Sequence, residues 1–574
     1  MNKLHIALIA ISLASTSTPA VYGSINMVKR NIVLKSVMPI LDNPVVPLLT
    51  QATTDADVAK NSGLSIEPEH LYRWVFNPSE SFSFVVAGKD IDHSDSAILT
   101  VWDWENHPVA QTRFVIPFTN KMQFLPKCRG TYVLTLDGMK DDKCIYRLIR
   151  SFAVCPSNGE KRKLWKESGF WVGQCSFPGW QGARLDDGRL TAPAGLTVDE
   201  SRDLDAELVA RMGVQVARIN LAVERRDSNG YKLDFDLTDK NVKAFVSKGL
   251  QLDLQFFMAY GAGSGPIKDQ YIDVPVEQAA LYPIREIPYR HYVNEIARRY
   301  GKYAMFFQVG NEPGNEYQYK GTADDFVETS VQSIDEVRKT WPLIPITNGG
   351  YCNTGDTMKA IVKGLKGKMD FVSYHCHDTF AGLKNWYAAM QQVHSEAGYA
   401  SPKFANTEMG FYMTTVGGER TNAVYEIQKL IYCWAHEHIG VLLYSSREIY
   451  WPRQYLPKNG ADYGFVDYFF CPRFVYGATS AFLDRYAGYR FERVIKESDN
   501  VHAYEFRRGK TSMVAFFAVN GSTSIKIQTD AKSVSLIDPM GNQTGINCSN
   551  EVVINAGEYP QTLVFSGAEK IELL

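Results

Sequence analysis

Two glutamates in similar settings carry the most chemistry in this chain. Gln308-Val309-Gly310-Asn311-Glu312-Pro313 follows an apolar run, Tyr303 to Phe307, that reads as a buried strand. Further on, Phe404-Ala405-Asn406-Thr407-Glu408-Met409-Gly410 repeats the arrangement, a short strand ending on a glutamate. Two strand-plus-helix units lie between them, so the carboxylates would end the fourth and seventh strands of an eightfold barrel. Strands in such a barrel run parallel, and side chains at their C-terminal ends project from the one face where barrel active sites are built. Two carboxylates facing each other across a cleft suit glycosidic bond cleavage, one as proton donor and the other as nucleophile or base.

Those side chains need a scaffold, and the rhythm of the middle of the chain supplies one. The sequence predicts strands over 170–176, 214–221, 252–259, 303–309, 343–347, 371–375, 403–407 and 441–445. Helical stretches are expected between and after them, over 200–212, 241–248, 289–300, 323–340, 358–365, 383–396, 422–436 and 474–486. Strand, loop and helix repeated eight times is the pattern of a (β/α)8 TIM barrel, expected over 158–486. An open doubly wound sheet is the rival, but no glycine-rich phosphate loop follows the first strand. Short strands with turn residues dominate 71–155 and return after Arg490, where Asp538-Pro539-Met540-Gly541-Asn542 is a strong turn signal. The barrel is therefore expected to be flanked by an N-terminal β-sandwich with a leader, 24–157, and a C-terminal β-sandwich, 487–574.

The totals narrow the function classes. A chain of 574 residues suggests roughly three or four domains. Its net charge of −2 argues against nucleic acid as partner, since phosphate binding needs a basic surface. Residues 1–23 read as a signal peptide: Lys3 supplies positive charge, 4–14 an apolar stretch too short to span a bilayer comfortably, and 20–23 small residues suited to cleavage. The mature protein is expected to be secreted or periplasmic, with no stable membrane insertion. Nine cysteines lack metal-ligand spacing. One disulfide among Cys128, Cys144 and Cys155 fits an oxidising compartment, while Cys175 and Cys376 read as small buried residues.

A fourth strand ending in Asn-Glu-Pro and a seventh ending in Glu resemble glycoside hydrolase clan A. With its sandwich flanks and the tail Val534-Ser535-Leu536-Ile537-Asp538-Pro539-Met540-Gly541, the chain looks most like the β-xylosidase and α-L-iduronidase (family 39-like) branch. The resemblance implies Glu312 as general acid/base, a role that needs a carboxyl with a raised pKa. It implies Glu408 as nucleophile and Asn311 as donor to the sugar 2-hydroxyl, a bond that strengthens as the oxocarbenium ion forms. Arg218, in Ala217-Arg218-Ile219-Asn220, stands where such enzymes place an arginine to keep the nucleophile ionised.

The sixth strand departs from that pattern. Related enzymes often carry Ser-x-His-x-Tyr here, and this chain reads Ser373-Tyr374-His375-Cys376-His377. His375 matches, His377 stands where tyrosine is expected, and both Tyr374 and His377 remain open as the group that bonds the nucleophile. Two histidines one residue apart can also bind metal, but no third ligand of suitable spacing stands out, so neither metal nor organic cofactor is expected. Glu448, after the eighth strand, is a rival carboxylate; Glu224 and Glu316 fall in loops, and Asp253 at the start of the third strand, nearer the opposite face. Trp180 and Trp451 at the rim are candidates to stack on sugar rings, with Gln174 and Tyr260 weaker ones. The expected activity is retaining hydrolysis of a carbohydrate, with a transglycosylase on the same site or a catalytically silent carbohydrate binder as alternatives.

Overall fold

Eight short strands, buried on both faces, make one parallel sheet that curls on itself. They are β1 (Trp171–Ser176), β2 (Val216–Ile219), β3 (Gln251–Phe256), β4 (Ala304–Val309), β5 (Ile346–Asn348), β6 (Val372–Cys376), β7 (Phe404–Met409) and β8 (Gly440–Leu443). Their hydrogen-bonded order is β5-β4-β3-β2-β1-β8-β7-β6. Parallel bridges from Thr347 to Phe371 and from Tyr351 to Tyr374 then bring β5 against β6 and complete the circle. The computed structural model describes residues 63–573 apart from 71–72, 90–93, 177–195, 220, 222–223, 226–231, 259–266, 317, 400–401, 412–417, 448–462, 468, 549 and 569.

Each strand is followed by a helix: α1 (Val198–Met212), α2 (Asp236–Ser247), α3 (Glu286–Tyr300), α4 (Ala323–Thr340), α5 (Asp356–Leu365), α6 (Phe380–Glu396), α7 (Gly418–Ala435) and α8 (Phe474–Tyr486). Thr197 and Thr322 start α1 and α4 with reciprocal capping boxes to Glu200 and Asp325, which satisfy backbone N–H groups that have no partner within the helix. Side chains alternate across the strands, except in β7, where an irregularity against β6 between Asn406 and Glu408 brings Glu408 to the inward side that Ala405 also faces. Ala217, Ile219, Leu254, Phe256, Phe307 and Val309 join the large apolar core shared with the helices. Val216, Cys175, Phe306, Phe371, Ala405 and Leu442 form a separate apolar cluster, the filled floor of the barrel.

Two sandwiches flank the barrel, antiparallel apart from the short parallel pairing of Val75–Phe76 with Lys143–Val154. In the first, a sheet of Leu64–Pro68, Phe82–Gly88 and Phe118–Phe124 lies with one of Val75–Phe76, Lys143–Val154, Gly130–Lys140, Ser96–Trp102 and Pro108–Val115. The second has a six-stranded sheet beginning at Arg490–Glu497 and a three-stranded one of Glu551–Ala556, Thr523–Thr529 and Ile571–Leu573. Buried aromatics tie the second to the barrel: Trp434 of α7 packs on Trp165 with ring centroids 5.3 Å apart and on Phe506 at 4.4 Å. Arg129 joins all three units, its backbone N–H donating to Asn542 at 2.8 Å and its guanidinium to Asp484 of α8 at 2.9 Å.

Three sequence expectations change. The fifth strand begins at Ile346 rather than Leu343, because Pro345 has no N–H to give the ladder; Leu343 is exposed instead. No disulfide forms among Cys128, Cys144 and Cys155, and all nine cysteines are free: Cys155 is buried while Cys144 is exposed. Asp253 is the third residue of β3, in register with Arg218, and therefore belongs to the interior layer above the apolar floor. Among the described residues, no helix is long and apolar enough to cross a membrane. The proposed signal peptide lies outside the described residues.

Candidate active site

A polar layer sits on the apolar floor. Two residues on from Val216 the same face of β2 carries Arg218, and two on from Phe306 that of β4 carries Gln308. Arg218 is fully buried and uses its whole fork: Nε donates to Asp253 Oδ2 at 2.7 Å, Nη1 to Glu408 Oε1 at 2.7 Å and Nη2 to Gln308 Oε1 at 2.8 Å. A guanidinium so bonded is fixed in position, and its charge is balanced by two carboxylates rather than one.

Glu408 ends β7 and receives three groups. Beside Arg218, His377 Nε2 lies 3.2 Å from its Oε2 and His375 Nδ1 lies 3.5 Å from the same oxygen. Burial alone would raise this carboxyl, but His375, the His377 hydrogen bond and Arg218 outweigh it and hold it at about 2. Glu408 is thereby kept ionised across the neutral range.

Glu312 reaches the same space from β4. Gly310, with φ +78°, and Glu312, with φ +42°, both take the left-handed conformation, which a non-glycine residue adopts only where its surroundings impose it. Here Glu312 N–H donates to the Gly349 carbonyl at 2.7 Å, and a Cβ on Gly349 would stand 2.5 Å from the Gly310 backbone. The close approach of these two loops turns the carboxyl inward. Its Oε1 lies 2.9 Å from His375 Nδ1, and its Oε2 accepts from Asn315 Nδ2 at 2.8 Å. One His375 nitrogen thus stands beside both carboxylates, and a carboxylate oxygen of Glu312, one of Glu408 and a ring nitrogen of His377 all lie within 4.8 Å of one another.

Asn311 is positioned rather than loose: Gln255 Nε2 donates to its Oδ1 at 2.9 Å, and its Nδ2 donates to Gln318 at 3.2 Å. Around the opening, His377 meets the rings of Tyr444 and Tyr463 at centroid distances of 4.9 and 5.0 Å.

The fold brings Glu312, Glu408, Arg218, His375, His377 and Asn311 together. It does not bring Tyr374, whose side chain takes the opposite face of β6 and bonds His438 Nε2 at 2.7 Å, fully buried. Of the two residues open as partner to Glu408, the one in contact is His377. Gln174 is buried within β1, and Glu316 is exposed. Trp180, Trp451, Glu448 and Tyr260, and the side chain of Glu224, lie outside the described residues. Asp253 was named but set nearer the opposite face, and Gln308, Gln255, Tyr444 and Tyr463 were missed; for Gln308 and Gln255, the signal was a polar residue on the inward face of an apolar strand. The sequence also offered no third metal ligand beside the histidine pair, and the fold supplies carboxylates from two other strands.

By sequence, no family model and no curated protein matches the chain. In fold it is similar to a family 39 glycoside hydrolase from the gut symbiont Bacteroides cellulosilyticus WH2, with a TM-score of 0.63 and 16% identity over 88% of this chain and 100% of that one. A family 39 β-xylosidase from Caulobacter crescentus is a more distant match, with a TM-score of 0.46 and 12% identity over 72% of this chain and 97% of that one. The likeness is one of fold, and that fold here is a parallel eight-stranded barrel with sandwich flanks.

Proposed function

We propose that this chain is a glycoside hydrolase that cleaves the O-glycosidic bonds of a poly- or oligosaccharide by retaining double displacement. The observation that carries the reading is the approach of Glu312 and Glu408, with a carboxylate oxygen of each within 4.8 Å of the other's. Retaining enzymes hold their two carboxyl groups about 5–5.5 Å apart, whereas inverting ones leave about 6.5–9.5 Å for a water molecule. The likeness in fold to a family 39 glycoside hydrolase supports the same class.

In the first step Glu408, ionised and aimed by Arg218 and His377, attacks the anomeric carbon. The bond to the leaving oxygen breaks as Glu312 gives that oxygen its proton. In the second step Glu312, now a carboxylate, takes a proton from water, and the resulting oxygen displaces Glu408 from the sugar. Asn311, steadied by Gln255, is placed to donate to the 2-hydroxyl. The basic, apolar and small-residue sequence of 1–23 supports export of the mature protein to the periplasm or medium.

The test is turnover of a panel of aryl glycosides and glycans by the wild type and by Glu312→Ala and Glu408→Ala. Wild-type release of sugar, lowered by several orders of magnitude in Glu408→Ala, is the expected result. Equal turnover in the wild type and Glu408→Ala would sink the assignment.

A further inference from the structure

We infer that Asn315 is a positioning residue for the acid/base: its side-chain amide holds the Glu312 carboxyl in place and stabilises the charge that appears there as the leaving oxygen takes the proton. The inference deepens the hydrolase reading and rests on Glu312 as the proton donor.

A tight turn returns Asn315 to Glu312. Glu312, Pro313, Gly314 and Asn315 take its four places, with Asn315 N–H donating to the Glu312 carbonyl at 3.0 Å and Gly314 at φ +87°. Proline second and a positive-φ glycine third make this a type II turn. The glycine is needed for space as well, since a Cβ there would stand 2.7 Å from Asn353 Nδ2. On its other side the Asn315 carbonyl accepts from the N–H groups of Gln318 at 2.8 Å and Tyr319 at 2.9 Å. Both backbone polar groups of Asn315 are thus fixed, which leaves χ1 and χ2 of a half-buried side chain to place the amide.

That amide donates from Nδ2 to Glu312 Oε2 at 2.8 Å. The contact at the other carboxyl oxygen differs in kind. His375 Nδ1, 2.9 Å from Glu312 Oε1, also stands 3.5 Å from Glu408 Oε2, and a ring nitrogen gives or takes a hydrogen according to its tautomer. An amide nitrogen only gives one. Its bond is modest while Glu312 is protonated and about twice as strong once Glu312 is a carboxylate. A contact that strengthens along the reaction path lowers the barrier, whereas one equal at both ends does not.

In the first step Glu408 attacks the anomeric carbon and the glycosidic C–O bond breaks. Its electron pair goes to the leaving oxygen, that oxygen takes the proton from Glu312, and the Glu312 carboxyl gains the negative charge that Asn315 faces. Asn315 therefore acts where a leaving group needs a proton and adds little where the group departs without one.

The experiment measures kcat/KM, which covers the steps up to and including this one, for aryl glycosides of one sugar whose phenols run from poor to good leaving groups. Wild type, Glu312→Ala, Asn315→Ala and Asn315→Asp are compared. Asn315→Asp keeps the size and the turn but lacks the N–H donor. Circular dichroism checks folding, and Asn315→Asp decides the matter if Asn315→Ala does not fold. Glu312→Ala is expected to lose most with the poorest leaving group. Both Asn315 variants should follow the same trend on a smaller scale, losing about 10- to 100-fold with the poorest phenol and progressively less with better ones, the size of a hydrogen bond to a charged group. A graded loss in Glu312→Ala beside an even loss, or none, in the Asn315 variants would overturn this inference alone. A wild type that cleaves no member of the series, or an ungraded loss in Glu312→Ala, would overturn the reading of Glu312 and this inference with it.

Discussion

Arg218 on β2 and Glu408 on β7 meet across the barrel through a 2.7 Å contact from Nη1 to Oε1, with the arginine fully buried. The same guanidinium also bonds Asp253, so its removal takes the counter-charge from two buried carboxylates at once. Breaking a buried pair by deleting one partner costs about 3–5 kcal/mol. Arg218→Met is therefore expected to lose roughly that much stability in denaturant unfolding of the barrel. A midpoint unchanged from wild type would mean that the pair does not act as described.

Glu408 also sets a pH dependence. Its carboxyl is held at about 2, below its ordinary 4.5, so the folded state binds this proton more weakly than the unfolded one does. The stability it contributes is complete above about pH 4.5 and is lost as pH falls toward 2, on the order of 3 kcal/mol in all. Acid unfolding of Glu408→Gln should lack that part of the slope. Parallel curves for the two proteins between pH 5 and 2 would contradict it.

Tyr374 distinguishes the two candidates for the nucleophile's partner. Because its hydroxyl bonds His438 away from the site, Tyr374→Phe should leave kcat unchanged and cost about 1–3 kcal/mol, the penalty for a buried polar group left unpaired. A large fall in kcat with unchanged stability would place Tyr374, and not His377, against Glu408.

Behind the site, Lys429 of α7 is buried with Glu426 at 2.8 Å and donates to the carbonyls of Gly410 at 2.9 Å and Asp378 at 3.2 Å. These carbonyls lie just beyond Glu408 and His377, so one ammonium fastens the ends of β6 and β7 together. Lys429→Met should be strongly destabilising, by about 3–5 kcal/mol, and Lys429→Met with Glu426→Gln less so, since no unpaired charge is then left buried. A double variant as unstable as the sum of the single ones would rule out this coupling.

Much of this site was legible because strand periodicity is local. Alternation puts His375 and His377 on one face of β6 and Tyr374 on the other, so the sequence held the means to set Tyr374 aside. Arg218 and Gln308, polar residues inside apolar strands, carried the same signal. Asp253 was misplaced because its height depends on the register of β3 against β2, which no local pattern encodes. Likewise the approach of Glu312 to Glu408 depends on Gly349 packing against Gly310, a contact between two loops far apart in the chain. The sandwich boundaries were readable from turn residues, but the pairing of strands into sheets was not, since it is set by non-local contacts.

The central claim is that Glu408 forms a covalent bond to the sugar and Glu312 serves the second step. It is tested most directly by adding azide to Glu312→Ala and Glu408→Ala with an aryl glycoside that the wild type cleaves. In Glu312→Ala the glycosyl-enzyme still forms, and azide, which needs no deprotonation, should displace Glu408 and release a glycosyl azide of the same anomeric configuration as the substrate. Glu408→Ala should give no such product. An azide of inverted configuration from Glu312→Ala, or hydrolysis by Glu408→Ala at the wild-type rate, would contradict the account.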